Sequence, residues 1–527
     1  MKGLFMNVIV NNIKLPLGHK ENEVFEAALK KAAKCLIKGK NPQIYRKSID
    51  ARRNKICCVY SVLIDVDFLP ENFVSGPEIR SYEEKGYDLR PLSMERRPIV
   101  IGSGPCGLFA AYVLAKAGFN PIVAERGEPV EKRICSVESF IKTGVLNENS
   151  NIQFGEGGAG TFSDGKLNTR IGDPLERFIL KVFVENGASE DILTEAKPHI
   201  GTDVLRRVVK NLRENIKSAG GEFMFSSLVT DIITENGSVC AAEINGEKIV
   251  ECSAVLLATG HSSRDTYEML LEKGFLIQPK PFAVGVRIEH KQSFISRAQY
   301  GDNYKKLPPA DYRLAYNGEE RSCYSFCMCP GGTVVNASSE KGRLTVNGMS
   351  NKKRDAENAN SALIVSVRPD DFKSNSPLAG IEFQRKYEEL AYKAAEGAAP
   401  VQLAKDFIKN KVSTGFEEVY PSFGGKTVFY DLRECLPDFV CKTLKEGLLC
   451  FENKISGFSS CGSVMTGVEM RTSAPVRILR DENYQAVGIK GLFPAGEGAG
   501  YAGGIMSAAI DGVKTAQKMR EYFETII

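Results

Sequence analysis

The chain has 527 residues, of which 43% are hydrophobic and 25% charged, a balance typical of a globular protein with two or three domains. It contains no run of about 18 apolar residues, and its N-terminus lacks a signal-peptide cleavage pattern, so we expect a cytoplasmic protein without a membrane span. The fourteen cysteines are scattered, which favours reduced thiols over a disulfide framework. A net charge of +4 is too small to indicate a polyanionic partner.

The beginning of the chain is basic, because its first sixty residues hold thirteen Lys or Arg and four Asp or Glu. Segments 4–13, 43–51 and 55–68 are strand-like, and apolar residues at helical spacing predict a helix over 21–38. We therefore expect a small N-terminal α+β domain at residues 1–92, ending in a polar linker.

A buried strand, a glycine turn, an amphipathic helix and a second strand follow from Arg97. The turn reads G-x-G-x-x-G. Gly102 permits the tight turn, Gly104 lets the backbone approach a pyrophosphate, and Gly107 lets the helix and strand pack closely. Glu125, eighteen residues after Gly107, stands where a carboxylate accepts hydrogen bonds from an adenosine ribose. The unit predicts dinucleotide binding.

Further elements of both kinds follow this unit. The pattern predicts a helix over 203–219 and strands over 221–233, 238–250 and 253–262, the last of which enters a glycine turn. Residues 281–454 are less periodic, with many turns and several helical patches.

Two further glycine-rich segments bear on which dinucleotide is bound. Gly496 to Gly500 follow an apolar strand, and Ala502 to Met506 open a helix about 400 residues after the first motif. A flavin requires such a second anchor, and a helix N-terminus stabilises negative charge on the reduced ring, so this segment favours FAD over NAD. Residues 155–166 combine glycines with Thr, Ser and Lys and form either a flavin-binding or phosphate-binding loop or a flexible surface loop.

A second strand-associated G-x-G-x-x-G motif is absent from the sequence, so we expect no dedicated nicotinamide domain. Either NAD(P)H docks as a transient electron donor without such a domain, or electrons come from a substrate or a protein partner.

Several long motifs resemble those of a bacterial family of uncharacterised FAD-dependent dehydrogenases with a FAD-dependent-protein C-terminal region. The motifs are GGAGTFSDGKLNTR, ATGHSSRD, FCMCPGG, VNGMSNKKRDAENANSAL and PAGEGAGYAGGIMSAAIDG. The resemblance covers nearly the whole chain. It implies an α/β protein with a glutathione-reductase-like, Rossmann-type FAD-binding domain at 93–280 and 455–527 and an inserted α+β cap domain for substrate at 281–454.

The glycine motifs and the resemblance together nominate a set of FAD-binding residues. They are Gly102, Gly104, Pro105, Gly107, Glu125, Arg126, Gly158, Thr161, Ser163, Lys166, Gly260, Gly496, Glu497, Gly503, Gly504 and Ile505. Cys106 stands where alanine is more usual, and it acts either as a low-pKa thiol or as a small apolar group.

The catalytic candidates are fewer. His199 and His261 are acid or base candidates, with a structural histidine bonded to backbone as the alternative. Arg287 and Arg354 are candidates for binding an anionic substrate, the alternative being structural salt bridges. Cys327 and Cys329 would lie side by side on a strand, with Met328 pointing away, as a redox pair or as packed small residues.

The leading functional hypothesis is a FAD-dependent oxidoreductase acting on a small molecule. A second hypothesis is a flavoprotein that docks an acidic protein, an electron carrier or RNA through its basic N-terminal domain, although no aromatic-rich RNA motif favours nucleic acid. A third is an iron-sulfur flavoprotein using Cys323, Cys327 and Cys329. That spacing is unlike the common ferredoxin runs, and the histidines are too dispersed for a metal site, so we predict no metal.

Overall fold

The computed structural model describes residues 6–52, 56–83, 97–167 and 172–526. The chain is a mixed α/β protein that divides into two compact units, Met1–Asp88 with Leu167–His199, and Leu89–Lys166 with Ile200–Ile527. Among the described helices, none combines the length and apolar character needed to cross a membrane.

The strands, numbered in chain order, are β1 (Met6–Pro16), β2 (Gly39–Asp50), β3 (Cys57–Val66), β4 (Ile79–Tyr82), β5 (Ile99–Ile101), β6 (Ile122–Ala124), β7 (Glu222–Met224), β8 (Val229–Glu235), β9 (Ser238–Ile244), β10 (Lys248–Glu251), β11 (Val255–Leu257), β12 (Ile277–Pro279), β13 (Phe282–Lys291), β14 (Ala315–Asn317), β15 (Ser322–Cys329), β16 (Gly332–Asn336), β17 (Val346–Ser350), β18 (Asn358–Val367), β19 (Ala399–Leu403), β20 (Thr427–Phe429), β21 (Val464–Glu469), β22 (Val476–Ile478) and β23 (Leu492–Pro494). The α-helices are α1 (Glu21–Ala33), α2 (Pro105–Lys116), α3 (Val130–Thr143), α4 (Leu175–Glu185), α5 (Thr202–Ser218), α6 (Arg264–Glu272), α7 (Gln292–Tyr300), α8 (Ala379–Ala394), α9 (Ala404–Ile408), α10 (Asp438–Lys454) and α11 (Ile505–Ile526).

The first unit is a four-stranded antiparallel sheet in the order β2-β3-β1-β4 with α1 packed on it. Val24, Ala28 and Ala32 recur every four residues, so they share the buried face of α1. The strand-helix-strand-strand order expected for the basic segment is confirmed.

The first unit also recruits chain from later in the sequence. The backbone of Lys47 donates to Thr194 and accepts from Ala196. A domain confined to residues 1–92 is therefore incomplete without Leu167–His199. The expected boundary at residues 92 and 93 lies outside the described residues.

The second unit contains a five-stranded parallel sheet in the order β23-β11-β5-β6-β7. Since the strands are parallel, their carboxyl ends meet at one edge, where ligands bind in open α/β sheets. Gly102 follows β5, Glu125 follows β6, Gly260 follows β11 and Gly496 follows β23. The topology thus gathers at one edge four residues that are far apart in sequence.

A seven-stranded sheet in the order β14-β15-β18-β13-β21-β19-β20 forms the other large part of this unit. One face of β13 places Val284, Val286 and Ile288 in a large apolar core, while Arg287 and Glu289 alternate with them and are also buried. Strand β21 pairs with β13, so the sheet extends past the boundary expected between residues 454 and 455. The boundary was misplaced because long-range strand pairing leaves no local sequence signal.

Candidate functional site

The first glycine turn contains three glycines. Close packing against protein atoms requires glycine at two of these positions and leaves space at the third. A side-chain Cβ on Gly102, where φ is +94°, would lie 2.5 Å from the Ala258 carbonyl oxygen, and one on Gly107 would lie 1.9 Å from that of Gly102. A Cβ on Gly104 would meet only the Gly158 Cα, at 3.8 Å. Gly104 therefore leaves open space at the N-terminus of α2, where a phosphate binds favourably.

Glu125 ties three chain segments together through its buried carboxylate. One oxygen accepts from the Ser103 amide at 2.8 Å and its hydroxyl at 2.7 Å. The other accepts from the amides of Gly127 at 2.9 Å and Gly155 at 3.1 Å. Four donors match the accepting capacity of a carboxylate, so Glu125 organises the turns around it. Its expected contact with a ribose stays a prediction.

Arg133 is a fully buried residue that the sequence reasoning did not identify. Its guanidinium donates to five backbone carbonyls at 2.7 to 3.1 Å, those of Asn151, Ile152, Gly155, Glu156 and Gly158. Burial lowers the pKa of Arg133 to about 9, which leaves it charged at neutral pH. Arg133 therefore fixes the shape of the loop that reaches the first glycine turn.

The middle glycine-rich loop brings the first and last motifs together. A Cβ on Gly158 would lie 3.0 Å from the Gly104 Cα, and one on Gly160 would lie 3.1 Å from Ile505 and 3.6 Å from Pro105. This close approach favours the binding-loop interpretation over a flexible surface loop.

Two hydroxyl groups of the middle loop are used within it. Thr161 donates to the Glu156 carbonyl at 3.2 Å, and Ser163 donates to the Gly160 carbonyl at 2.7 Å. These side chains hold the loop's own conformation.

The C-terminal glycine turn packs against the other turns with little space to spare. A Cβ on Gly496 would lie 2.8 Å from that of Cys106, and one on Gly498 would lie 2.5 Å from the Gly260 carbonyl oxygen. Tyr267 donates to the carbonyls of Gly498, at 2.8 Å, and Gly260, at 3.2 Å. Burial raises the pKa of the Cys106 thiol, so Cys106 serves as a small packed group.

An open face remains where these turns meet. A Cβ on Gly260, Gly503 or Gly504 would find no protein atom within 4 Å, and Gly503 and Gly504 are exposed at the start of α11. Two helix N-termini, of α2 and α11, thus border glycine surfaces that protein atoms do not fill. This arrangement fits a dinucleotide whose phosphates need one helix N-terminus and whose flavin uses the other.

Glu497 and Lys280 place ionisable groups beside this face. Burial raises the pKa of Glu497 to about 7, while the Gly504 amide and the Lys280 cation act in the opposite direction. Lys280 is charged in its protonated form, so burial lowers its pKa. Lys280, which the sequence reasoning did not identify, comes close to Glu497 only through the fold.

Three further predicted site residues, Arg126, His261 and His199, have different surroundings. Arg126 donates to Asp265 at 2.8 Å, and its guanidinium lies 4.3 Å from the centre of the Phe154 ring. His261 is buried, and its burial with nearby arginine cations lowers the pKa of the imidazole to about 3, so it is neutral at physiological pH. His199 is buried and belongs to the first unit.

The two cysteines of FCMCPGG do not lie side by side as expected. A register shift between Phe326 and Cys329 interrupts β15, and Cys327 takes a left-handed conformation with φ +40°. Cys327 is exposed and Cys329 is buried, whereas Met328 enters the large core. The bulge separates the cysteines because strand alternation holds only while the ladder is regular.

Cys323 lies in the large core, and a Cβ on Gly447 would meet its sulfur at 2.7 Å. Cys329 instead adjoins the guanidinium of Arg287. The three cysteines therefore do not converge as one ligand set. Within the described parts of the chain, no group of three His, Cys, Asp or Glu residues is arranged to hold a metal.

Arg287 and Arg354 both form the salt bridges of the structural alternative. Arg287 binds Glu469 through Nε, at 2.6 Å, and Nη2, at 3.2 Å. Arg354 binds Asp164 through Nη2, at 2.6 Å, and Nε, at 3.2 Å. Lys166 donates to the Met328 carbonyl oxygen.

A family model and several known proteins resemble this chain. A family model described as "FAD-dependent protein, C-terminal domain-like" matches residues 281–472. An uncharacterized protein of Clostridium beijerinckii is 48% identical over 535 residues, covering 98% of this chain and 99% of that protein. A thiamine thiazole synthase of Thermotoga maritima is 26% identical over 199 residues, covering 35% of this chain and 64% of that protein. A solved structure of E. coli quinol fumarate reductase matches this chain over 82% of this chain and 71% of the reductase chain, with 14% identity and a TM-score of 0.38.

The glycine-lined edge and the family match together define a FAD-dependent protein. The chain belongs to the family of FAD-dependent proteins that carry this C-terminal domain.

Proposed function

We propose that the protein is a FAD-dependent oxidoreductase that transfers hydride or electrons between the flavin and a small-molecule substrate. The observation that carries the proposal is the open glycine face of Gly260, Gly503 and Gly504, bordered by the N-termini of two helices. FAD, when bound, supplies a redox group that accepts or donates two electrons.

The chain's own residues have distinct parts in this proposal. The turn at Gly104 and the start of α2 hold the pyrophosphate, and Glu125 and Arg133 keep that turn and the adjacent loop in place. The start of α11 would hold the flavin end of the cofactor, and its positive dipole end would stabilise negative charge there.

The seven-stranded sheet is proposed as the substrate-binding cap of a glutathione-reductase-like flavoprotein. It contains β13, which begins directly after Lys280 and Pro281 and so leads away from the flavin edge. NAD(P)H is proposed as a transient electron donor that docks without a domain of its own.

An anaerobic spectroscopic screen of flavin reduction tests this function. Purified, FAD-loaded protein is mixed in turn with NADH, NADPH and a panel of metabolites, and the oxidised-flavin absorbance is followed. Bleaching by a nicotinamide identifies a reductase, and bleaching by a metabolite identifies a dehydrogenase. Protein that stays colourless after incubation with FAD contradicts the proposal.

A second proposal concerns the first unit, which we propose docks an acidic electron carrier. Lys30, Lys34 and Lys38 are exposed around the C-terminal end of α1, whereas Lys31 is paired with Glu78. Reduction of the flavin by an acidic carrier such as flavodoxin should slow with added salt and in a Lys34→Glu, Lys38→Glu variant. Unchanged rates, or co-elution with RNA that the variant abolishes, would reject this partner.

A further inference from the structure

Three of the sequence motifs meet at one partly exposed place in the second unit. Lys166, at the end of the glycine-rich loop, donates to the carbonyl oxygen of Met328 in FCMCPGG. Asp164 accepts from Ser350, the last residue of β17, and bidentately from Arg354, in the segment that connects β17 to β18. We refer to Asp164, Lys166, Cys327, Cys329 and Arg354 as the polar junction.

The charges at the polar junction do not pair one to one. The Lys166 ammonium lies 3.7 Å from Asp164, so this carboxylate is shared between Lys166 and Arg354. Glu469, on β21, is engaged bidentately by Arg287. Among the described residues, the Asp164 carboxylate is thus the ion-pair partner of both Lys166 and Arg354.

Glu289, on β13, is engaged by Ser422 and Asn358, from which it accepts hydrogen bonds. Lys166 is partly exposed and shares the Asp164 carboxylate with Arg354, so an added anion would complete the pairing of the Lys166 charge.

The polar junction also has accessible groups. The side chain of Lys166 is 27% exposed, and Cys327 is exposed although burial raises the pKa of its thiol to about 12. The bulge in β15 creates this exposure by turning Cys327 out of the strand ladder in a left-handed conformation.

We propose that the polar junction binds the carboxylate of a small organic acid, with Lys166 as its counter-charge and the Cys327 thiol beside it. The inference rests on the proposed oxidoreductase function, for which such an acid would be the substrate. Arg354 is a positioning residue, because it acts on the anion only by holding Asp164.

Selective alkylation of Cys327 tests this anion site. The full-length protein is treated separately with iodoacetate, which carries a carboxylate, and with neutral iodoacetamide, and alkylation is followed by peptide mass spectrometry. Cys135, which is exposed on α3, serves as the reference thiol. The iodoacetate-to-iodoacetamide rate ratio at Cys327 should exceed that at Cys135 by about tenfold or more, the effect of a favourable nearby charge.

Matched lysine variants assign the effect. Lys166→Met should lower the Cys327 ratio to that of Cys135, and Lys166→Arg should retain the preference. Lys353→Met, which removes an exposed lysine from the same loop as Arg354, should leave it unchanged. Equal ratios at Cys327 and Cys135 in the unsubstituted protein, or a preference that survives Lys166→Met, would overturn the inference.

Flavin content is measured on the same samples by absorbance. Protein that shows the iodoacetate preference but takes up no FAD would refute the proposed function and leave the anion site standing. Flavin-containing protein without the iodoacetate preference would refute the anion site and leave the proposed function standing.

Discussion

Two buried charged residues, Glu125 and Arg133, shape the backbone of the flavin site. Glu125 gathers donors from the turns around it, and Arg133 gathers acceptors from one loop. Because Glu125 directly follows a predicted strand, the sequence predicted that it belongs to the site. Nothing in its neighbourhood distinguishes Arg133 from Lys132, because its role depends on carbonyls 18 to 25 residues away.

Replacing Arg133 should weaken FAD binding. Arg133→Met leaves five buried carbonyls without this donor, so we expect a loss of about 3 kcal/mol or more in stability and at least a tenfold loss in FAD affinity. FAD fluorescence titration and urea unfolding measure the two effects. Arg206→Met is the control, because Arg206 lies over the same Phe162 ring. Equal losses in both variants would refute the role of Arg133.

Glu156 should make stability fall as pH rises. It is fully buried, one of its oxygens has no hydrogen-bond partner among the described residues, and desolvation raises its pKa to about 7 from 4.5 despite the Arg213 ion pair. The folded chain therefore keeps a proton that the unfolded chain loses. The resulting stabilisation is complete below pH about 4.5 and is lost as pH rises through 7.

Urea unfolding of the apoprotein at pH 5.5 and pH 8 measures this effect. We expect Glu156→Gln to reduce the difference in stability between the two pH values by on the order of 2 kcal/mol. Glu497, whose pKa burial also raises to about 7, accounts for part of the remaining difference. A difference as large in Glu156→Gln as in the unsubstituted protein would contradict this assignment.

At the scale of elements, local patterns predicted the pieces of the flavin site well. The strand, turn, helix and strand expected from Arg97 to Glu125 appear as β5, α2 and β6, and the helix expected at 203–219 is α5. The prediction that Cys327 and Cys329 lie side by side was wrong. A bulge alters the strand alternation, and this bulge is set by pairing with β18. The polar junction could not be predicted, since its members come from three distant segments.

Two glycines of one motif should respond oppositely to alanine. In Gly104→Ala the new methyl group finds room in the protein, where φ is −70°, but projects into the space assigned to FAD. We expect an unchanged melting temperature and at least a tenfold loss in FAD affinity. Gly107→Ala places a methyl group 1.9 Å from a carbonyl oxygen and should cost about 2 kcal/mol or more. Loss of stability in Gly104→Ala with FAD affinity retained would contradict the assignment.

At the scale of the whole molecule, the sequence predicted a basic first domain but not its discontinuity. Residues 167–199 lie within what reads as flavin-binding chain, yet they pack in the first unit. Boundaries drawn from composition follow the order of the chain, whereas compact units follow contacts that skip along it.

Deleting residues 1–92 should therefore not give a clean truncation. The hydrogen bonds between Lys47 and the segment at Thr194 and Ala196 are lost, and the face that packed on the sheet is uncovered. We expect trypsin to cut within residues 167–199 at least about tenfold faster in the truncated protein, as mass spectrometry would show. Equal protection of this segment in the two proteins would show that it folds without the first sheet.

We propose that the turns at Gly104, Gly158 and Gly504 form a FAD site that supports redox chemistry. An anaerobic absorbance titration tests it most directly, with FAD added to the apoprotein of the unsubstituted chain and of Gly104→Ala, followed by dithionite and NADPH. We expect one tightly bound FAD per unsubstituted chain, reversible bleaching, and weakened binding in Gly104→Ala with the fold intact. An apoprotein that is folded but binds no FAD, or binds it equally in both forms, would contradict it.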